Sequence, residues 1–303
     1  MQARFAIVVF MPELPEVESQ ARDLRRLVLD RPIKDVWVGW KKTIARPSAP
    51  EFVRAIKNRQ IKKISRRGKF ILLELDNGLV LVSHFRMTGH FRLAPLEQSQ
   101  SAKKWYALPA DRFTRVAFKL NKNEVLHFSD IRKFGRLWLV PAAEVSKLEE
   151  LRDLGPEPLD KKFNSKEFVA CLRRYTGMIK PILLRQTCVA GIGNIYADES
   201  LFDAGIHPKT RVERLPDAEL ATLFKMVRAN LAAAVKHKGS SVGEYLNMRG
   251  EKGRHGFYLR VYGQKGAPCK SRRTGQKCLG TVKRIVVGQR GTHICPVCQK
   301  VRR

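Results

Sequence analysis

The sequence predicts an α+β protein of two domains, an N-terminal β-sandwich with a flanking helix and a C-terminal helical domain that ends in a cysteine-bearing β-hairpin. Three observations carry this. Residues 31–95 read as strands, with an alternating run from Ile61 to Leu75 and a turn at Asp76-Asn77-Gly78. After about residue 160 the apolar period becomes helical. Four of the six cysteines lie beyond residue 268. A length of 303 residues suits two domains, and a hydrophobic content of 44% suffices for their cores.

Charge narrows the partner. Fifty-nine Lys and Arg against 28 acids give a net charge of +31. That imbalance implies a polyanion, with nucleic acid the first candidate. A membrane surface would favour one basic amphipathic helix, whereas here the charge is spread along the chain, and no apolar run approaches the roughly 20 residues of a span. Cys171 and Cys188 stand alone in apolar surroundings. The cysteine distribution therefore favours a local metal site in a cytosolic protein over a disulfide framework.

In chain order, Met11-Pro12-Glu13-Leu14-Pro15-Glu16-Val17-Glu18 opens a helix whose apolar face runs through Leu24 to Val28. Proline costs nothing in a first turn, and carboxylates there meet the positive end of the dipole. Phe70–Leu75 and Leu79–Phe85 form a hairpin, and the returning strand runs on into Met87-Thr88-Gly89. Residues 97–112 read as loop. Arg115–Leu120 and Glu124–Phe128 pair across Asn121-Lys122-Asn123, and Leu154-Gly155-Pro156-Glu157-Pro158-Leu159 marks the junction between domains. Helices then start near Phe168, at Ile179 and at Asn194, and Leu215–Lys238 is amphipathic. Residues 240–258 read as a glycine-rich loop and Leu259–Gly263 as a strand. Cys269-x8-Cys278-x16-Cys295-x2-Cys298 offers four thiolates for a tetrahedral Zn²⁺, with a redox Cys295-x2-Cys298 as the weaker reading because no βαβ pattern surrounds it. Between the knuckles, Ile285–Val287 and Thr292–Ile294 flank Gly288-Gln289-Arg290-Gly291 as a hairpin.

The opening octapeptide, the string from Ala190-Gly191-Ile192-Gly193-Asn194 to His207-Pro208, and the cysteine knuckles resemble, in that order, the formamidopyrimidine-DNA glycosylase branch of the Fpg/Nei family. The resemblance runs from Met11 to the C-terminus. It implies a helix–two-turn–helix domain and a zinc finger. It also implies a bifunctional DNA glycosylase and AP lyase for oxidised purines, such as 8-oxoguanine and formamidopyrimidines in duplex DNA. Pro12 would be the nucleophile through its amine, with Glu13 as general acid/base and Lys69 reaching the sugar and phosphate at the lesion. Met87, Arg132 and Phe134 would fill the gap left by an everted base. Lys180, Asn194 and Arg290 would hold phosphates, and Glu199 would be structural. Cys269, Cys278, Cys295 and Cys298 would hold one structural zinc.

This chain departs from the family pattern at several places. Ile131 stands where the family has Pro, Arg185 where it has Asp, and eight residues instead of two separate the first cysteines. Ten residues, Met1 to Phe10, precede Met11. With them attached, Pro12 has no free amine, so residues 1–10 read as a misplaced start. The expected divisions are this extension, a catalytic domain over 11–150, a linker over 151–160, a helical DNA-binding domain over 161–265 and a zinc finger over 266–303. A cytoplasmic, nucleoid-associated monomer without membrane contact is expected. The alternatives are a non-catalytic binder of damaged DNA, if residues 1–10 block Pro12, and a lesion-blind architectural protein.

Overall fold

The computed structural model describes residues 11–96, 104–107, 111–121, 123–240, 247–248, 250–271 and 275–302. The expected extension, parts of the 97–112 loop and of the 240–258 loop, Lys122 and the middle of the insert between Cys269 and Cys278 lie outside them. The chain divides into two compact units, Met1–Arg152 with Lys238–Arg254, and Asp153–His237 with His255–Arg303. Residues 238–254, expected within the helical domain, thus cluster with the first unit.

The first unit starts with α1 (Leu14–Val28), whose first turn is a capping box: Glu13 N–H donates to Glu16 at 3.0 Å and Glu13 reciprocates. Its strands are β1 (Ile33–Val38), β2 (Ile44–Arg46), β3 (Ile61–Arg67), β4 (Phe70–Leu75), β5 (Leu79–His84), β6 (His90–Pro95), β7 (Thr114–Leu120), β8 (Glu124–Ser129) and β9 (Arg136–Pro141). They form a four-stranded sheet, β1-β7-β8-β6, and a five-stranded sheet, β2-β9-β5-β4-β3. One core holds Val36, Phe118 and Phe128 of the first sheet, Ile71, Leu81 and Leu137 of the second, and Val17, Ala21 and Leu24 of α1. This is the expected sandwich with its flanking helix.

The all-strand reading of 31–95 is corrected in one place, because Ala49–Ile56 is a helix, α2. Ser48 caps it and Glu51 returns the bond to the Ser48 N–H at 3.1 Å. The Ser-x-x-Glu signature was visible in the sequence but lay between two strand-like runs. The β4–β5 hairpin forms as expected, with Gly78 at φ +76°. Strand β5 ends at His84, so Met87 belongs to the following turn, where Gly89 N–H donates to Phe85 at 3.0 Å. The 238–254 excursion is held to this unit by Ser240, whose N–H donates to Glu16 at 2.8 Å, and by Met248, whose carbonyl accepts from Leu93 at 3.2 Å.

The second unit contains α4 (Ser165–Arg173), α5 (Ile179–Leu183), α6 (Asn194–Ala204) and α7 (Asp217–Lys236), with the hairpin β10 (Lys283–Val287) and β11 (Arg290–Ile294); a one-turn α3 (Glu149–Arg152) closes the first unit. Phe163 packs edge to face on both Phe168 of α4 and Phe224 of α7. Leu259–Gly263 is not a strand. Its backbone donors are taken instead by Glu199, as described below. Cys171 and Cys188 do not stand alone: they form a disulfide with Cα atoms 5.7 Å apart. α5 folds the chain back between them, a proximity that their spacing of 17 residues did not reveal. Among the described residues no helix is long and apolar enough to cross a membrane.

Candidate active site and nucleic-acid interface

In the first unit, Pro12 and Glu13 are buried ahead of α1, where the two prolines and the capping box fix the chain direction. Glu16 does more than start the helix. One carboxylate oxygen accepts the Glu13 N–H, and the other accepts Ser240 N–H at 2.8 Å and Ser240 Oγ–H at 3.0 Å. It thereby couples the Glu13 backbone to the excursion, a role the sequence did not disclose. A side chain on Gly239 would sit 2.8 Å from Glu16 Cγ, so this approach needs glycine.

Lys69 follows Gly68, which has φ +55°, in the tight β3–β4 turn, and its side chain is largely buried. It lies near His84, whose pKa is pushed well below the ordinary imidazole value by burial first, then by the charges of Arg86 and Lys69. Arg86 N–H donates to His84 Nδ1 at 3.0 Å, which fits a neutral ring.

Two turns carry the residues expected to form the wedge. Phe134 is 46% exposed, and the Arg132 guanidinium lies 4.9 Å above its ring. Asp130 holds this turn from below, accepting from Arg132 N–H at 3.1 Å and Gly135 N–H at 2.7 Å. Arg136 donates to the carbonyls of Lys133, Phe134 and Gly135. Thr88 joins Met87's turn to this one by a short bond to Asp130 and by accepting Arg132 N–H at 3.1 Å. The Ile131 substitution therefore leaves a fully braced turn. The link of Thr88 to Asp130 and Arg132 had no signal in the sequence, because it joins residues more than 40 positions apart.

In the second unit, Lys180, Asn194 and Arg290 converge. Lys180 Nζ and Asn194 Nδ2 both donate to the Gly291 carbonyl, at 3.4 and 3.0 Å, directly after Arg290. Lys180 is fully buried. Its ammonium donates to Asp198 at 2.6 Å and to Thr292 Oγ1 at 2.7 Å. The other Asp198 oxygen accepts His293 N–H at 2.8 Å. Arg290 itself is exposed, just past a two-residue turn in which Gly288 and Gln289 have φ +53° and +62°. Asn194 opens α6 one residue after Gly193, with Gly191 at φ +89° making the preceding turn. Arg185, where the family pattern has Asp, places its guanidinium 4.8 Å from the Tyr175 ring.

Glu199 is structural in its contacts. Its carboxylate accepts the N–H groups of Arg260, Val261 and Tyr262 at 2.8 to 2.9 Å. Burial raises its pKa, and those three donors oppose the shift.

The sulfurs of Cys269, Cys278, Cys295 and Cys298 all lie within 4.8 Å of one another. Two of the separations are 3.7 and 3.8 Å. Zinc–sulfur bonds of about 2.3 Å in a tetrahedron imply edges of about 3.8 Å, so the residues fit zinc. The eight-residue spacing is absorbed at the base of the insert, where Cys269 N–H donates to Gly280 at 2.7 Å and Cys278 N–H to Ser271 at 3.0 Å.

Comparisons with known proteins agree with this arrangement. Family models match three segments: the formamidopyrimidine-DNA glycosylase N-terminal domain over residues 11–137, the formamidopyrimidine-DNA glycosylase H2TH domain over 154–245, and a zinc finger found in FPG and IleRS over 275–301. The formamidopyrimidine-DNA glycosylase of Herpetosiphon aurantiacus is 40% identical over 290 residues, 95% of this chain and 100% of that protein. That of Bacillus subtilis is 40% identical over 290 residues, 95% of this chain and 99% of that protein. Among solved structures, a Lactococcus lactis FPG variant in complex with Fapy-dG-containing DNA has a TM-score of 0.85 at 33% identity, covering 95% of this chain and 100% of that one. The Lactococcus lactis enzyme with abasic-site DNA has a TM-score of 0.84 at 33% identity, covering 95% and 99%. Matched along nearly its whole length in sequence and fold, this chain belongs to the formamidopyrimidine-DNA glycosylase family.

Proposed function

We propose that the protein excises oxidised purines, 8-oxoguanine and formamidopyrimidines, from duplex DNA and then nicks the strand by β,δ-elimination. The observation that carries this is the braced pair of turns: an exposed Phe134 under Arg132, locked through Thr88 and Asp130 to the turn of Met87. An aromatic ring held out of the core on a fixed turn suits insertion beside an unstacked base pair, with Arg132 meeting the orphaned base.

The chemistry runs on Pro12 as a free secondary amine. Its nitrogen attacks C1′ of the damaged nucleotide, the C–N bond to the base breaks, and the base leaves with a proton. The lone pair of the now tertiary amine then opens the sugar ring, O4′ leaving C1′ and taking a proton; the iminium so formed acidifies the neighbouring C–H, and successive eliminations expel the flanking phosphates. An α-amino group titrates near pH ~8, so part of it is neutral and nucleophilic at neutral pH. Glu13 moves the protons. Lys69 steadies the sugar and phosphate, Asn194 and Arg290 grip the backbone, and Lys180 acts by holding the Gly291 end of Arg290's hairpin. Residues 11–150 carry the chemistry, 161–265 the helical grip and 266–303 the finger, with 151–160 as the link, in a protein that works as a monomer.

One zinc on the four cysteines would be structural, since four protein ligands leave no position for water. A Cβ on Gly280 would lie 2.7 Å from Cys295 Sγ and 2.9 Å from Val297 Cγ2. Gly280→Ala is therefore expected to lower bound zinc well below one ion per chain and to weaken DNA binding. Elemental analysis of the purified variant checks this, and one zinc per chain would refute it.

The function itself is tested by base release from an 8-oxoguanine duplex, beside binding competition with undamaged duplex at fixed salt. Release together with lesion preference is expected. Equal binding to both duplexes without release would favour the lesion-blind architectural reading.

A further inference from the structure

The turn from Asp130 to Gly135 carries three outward side chains, and they do not point alike. Arg132 stacks on Phe134, whereas Lys133 turns to a second ring, its Nζ 4.3 Å from the centre of Trp40. The cause is local. Lys133 sits at φ +60°, the left-handed region that a lysine rarely adopts, and its carbonyl is held there by Arg136 at 3.2 Å.

Trp40 belongs to the segment after β1 and is itself fixed. Its N–H and that of Gly39 donate to the Arg115 carbonyl at 3.2 and 2.9 Å, and its own carbonyl accepts from Thr43 at 2.9 Å. The Arg115 guanidinium meanwhile donates to the carbonyls of Asp130, at 2.8 Å, and Ile131, at 3.5 Å. One strand residue thus anchors both the backbone that carries the indole and the turn that bears the lysine.

No carboxylate of the described residues pairs with Lys133. That choice of partner matters. A carboxylate would aim the ammonium and cancel its charge, whereas an aromatic face aims it and leaves the charge whole. Lys41 and Lys42, next to Trp40, add to the positive field. An aimed, uncompensated ammonium beside an arginine suited to reading a base edge fits a phosphate oxygen, because a point charge carries no base code.

We propose that Trp40 is a positioning residue that directs Lys133 onto a backbone phosphate of bound duplex. The inference rests on the duplex-binding reading above. Its test is the salt dependence of affinity for a lesion duplex, measured on the full chain for Lys133→Gln, Trp40→Ala, Trp40→Leu, Trp40→Phe and the double variant Trp40→Ala/Lys133→Gln. Each phosphate contact adds about 0.9 to the log–log slope. Lys133→Gln is expected to lower the slope by about that amount, so that a fourfold rise in salt costs about 3.5-fold less affinity than in the parent.

Trp40→Ala should reproduce that change although it removes no charge. Trp40→Leu, which keeps bulk without a π face, should do the same. Trp40→Phe should keep the parental slope, and the double variant should match the single ones. A Trp40→Ala or Trp40→Leu protein with lowered affinity and an unchanged slope would overturn the proposal, leaving the ring a direct stacking contact or a packing element. A slope unaffected by Lys133→Gln, or further reduced in the double variant, would overturn it too. A parent protein with no salt-dependent duplex binding would overturn this proposal and the functional reading together, whereas the variant results bear on this proposal alone.

Discussion

A chain that begins at Pro12 is expected to be trapped covalently on an 8-oxoguanine duplex by borohydride, while the 303-residue chain gives no adduct. The contrast is all-or-none because it concerns a lone pair. Bonded to the Met11 carbonyl, the Pro12 nitrogen is a tertiary amide whose lone pair is delocalised, and no neighbouring group restores its nucleophilicity. Released, it is a secondary amine at the buried start of α1, with Glu13 next to it and held by Glu16. Intact masses of both proteins before and after trapping identify which N-terminus reacted. An adduct from a protein whose mass still includes Met1 would remove Pro12 from the mechanism. In the Pro12-start form, Glu13→Gln should lower base release by about 100-fold or more, the usual contribution of a positioned acid or base. Binding to the lesion duplex should survive, because the wedge and the phosphate contacts lie on other residues.

The second large effect is expected at Asp198. Lys180 and Asp198 are both fully buried, with Nζ and Oδ1 2.6 Å apart. Asp198→Ala would strand an ammonium in the interior and also remove the acceptor of the His293 N–H. Breaking one side of a buried pair costs about 3–5 kcal/mol. A loss of that size is expected in the urea or thermal unfolding of the second unit, with weaker DNA binding because the hairpin of Arg290 loses its bond to Asp198 and Lys180 loses the partner that steadies it. Lys180→Met/Asp198→Leu, which removes both charges and keeps volume, should recover much of the stability but not the hairpin's hold on the backbone. An Asp198→Ala protein within about 1 kcal/mol of the parent would show that the pair is not what secures the hairpin to α6.

Much of the fold was legible because its signals are short-range. Asp76-Asn77-Gly78 announces a hairpin through its own backbone preferences, the first turn of α1 through proline and carboxylates, and the zinc cluster through thiolate chemistry. The exception among local signals was α2. Its capping box is only a few residues from strands on both sides, so the surrounding strand pattern masks it.

The site was legible in its cast more than in its wiring. Lys180 was expected at a phosphate on the strength of its motif, and the structure places its ammonium between Asp198 and Thr292. Thr292 is 112 residues away in the chain. The pairing of Cys171 with Cys188 has the same character, since two apolar neighbourhoods in sequence became one interior only when α5 reversed the chain. Asp130 is the keystone of its turn because Thr88 arrives from a different strand connection, which no local signal announces.

The sequence by itself determined the proline- and carboxylate-rich first turn of α1, the glycine turn that opens α6, the four cysteines near the C-terminus and the demand for a polyanionic partner. Each follows from residue type, spacing or net charge, which do not depend on how the chain folds back on itself. Only the tertiary structure decided which charges are aimed outward and which are consumed inside. It turned Lys180 inward onto Asp198, gave Glu16 the coupling of Glu13 to Ser240, and set Lys133 over Trp40. The reason is physical: the free energy of a charge depends on burial and on the partner facing it, and both are properties of segments distant in sequence.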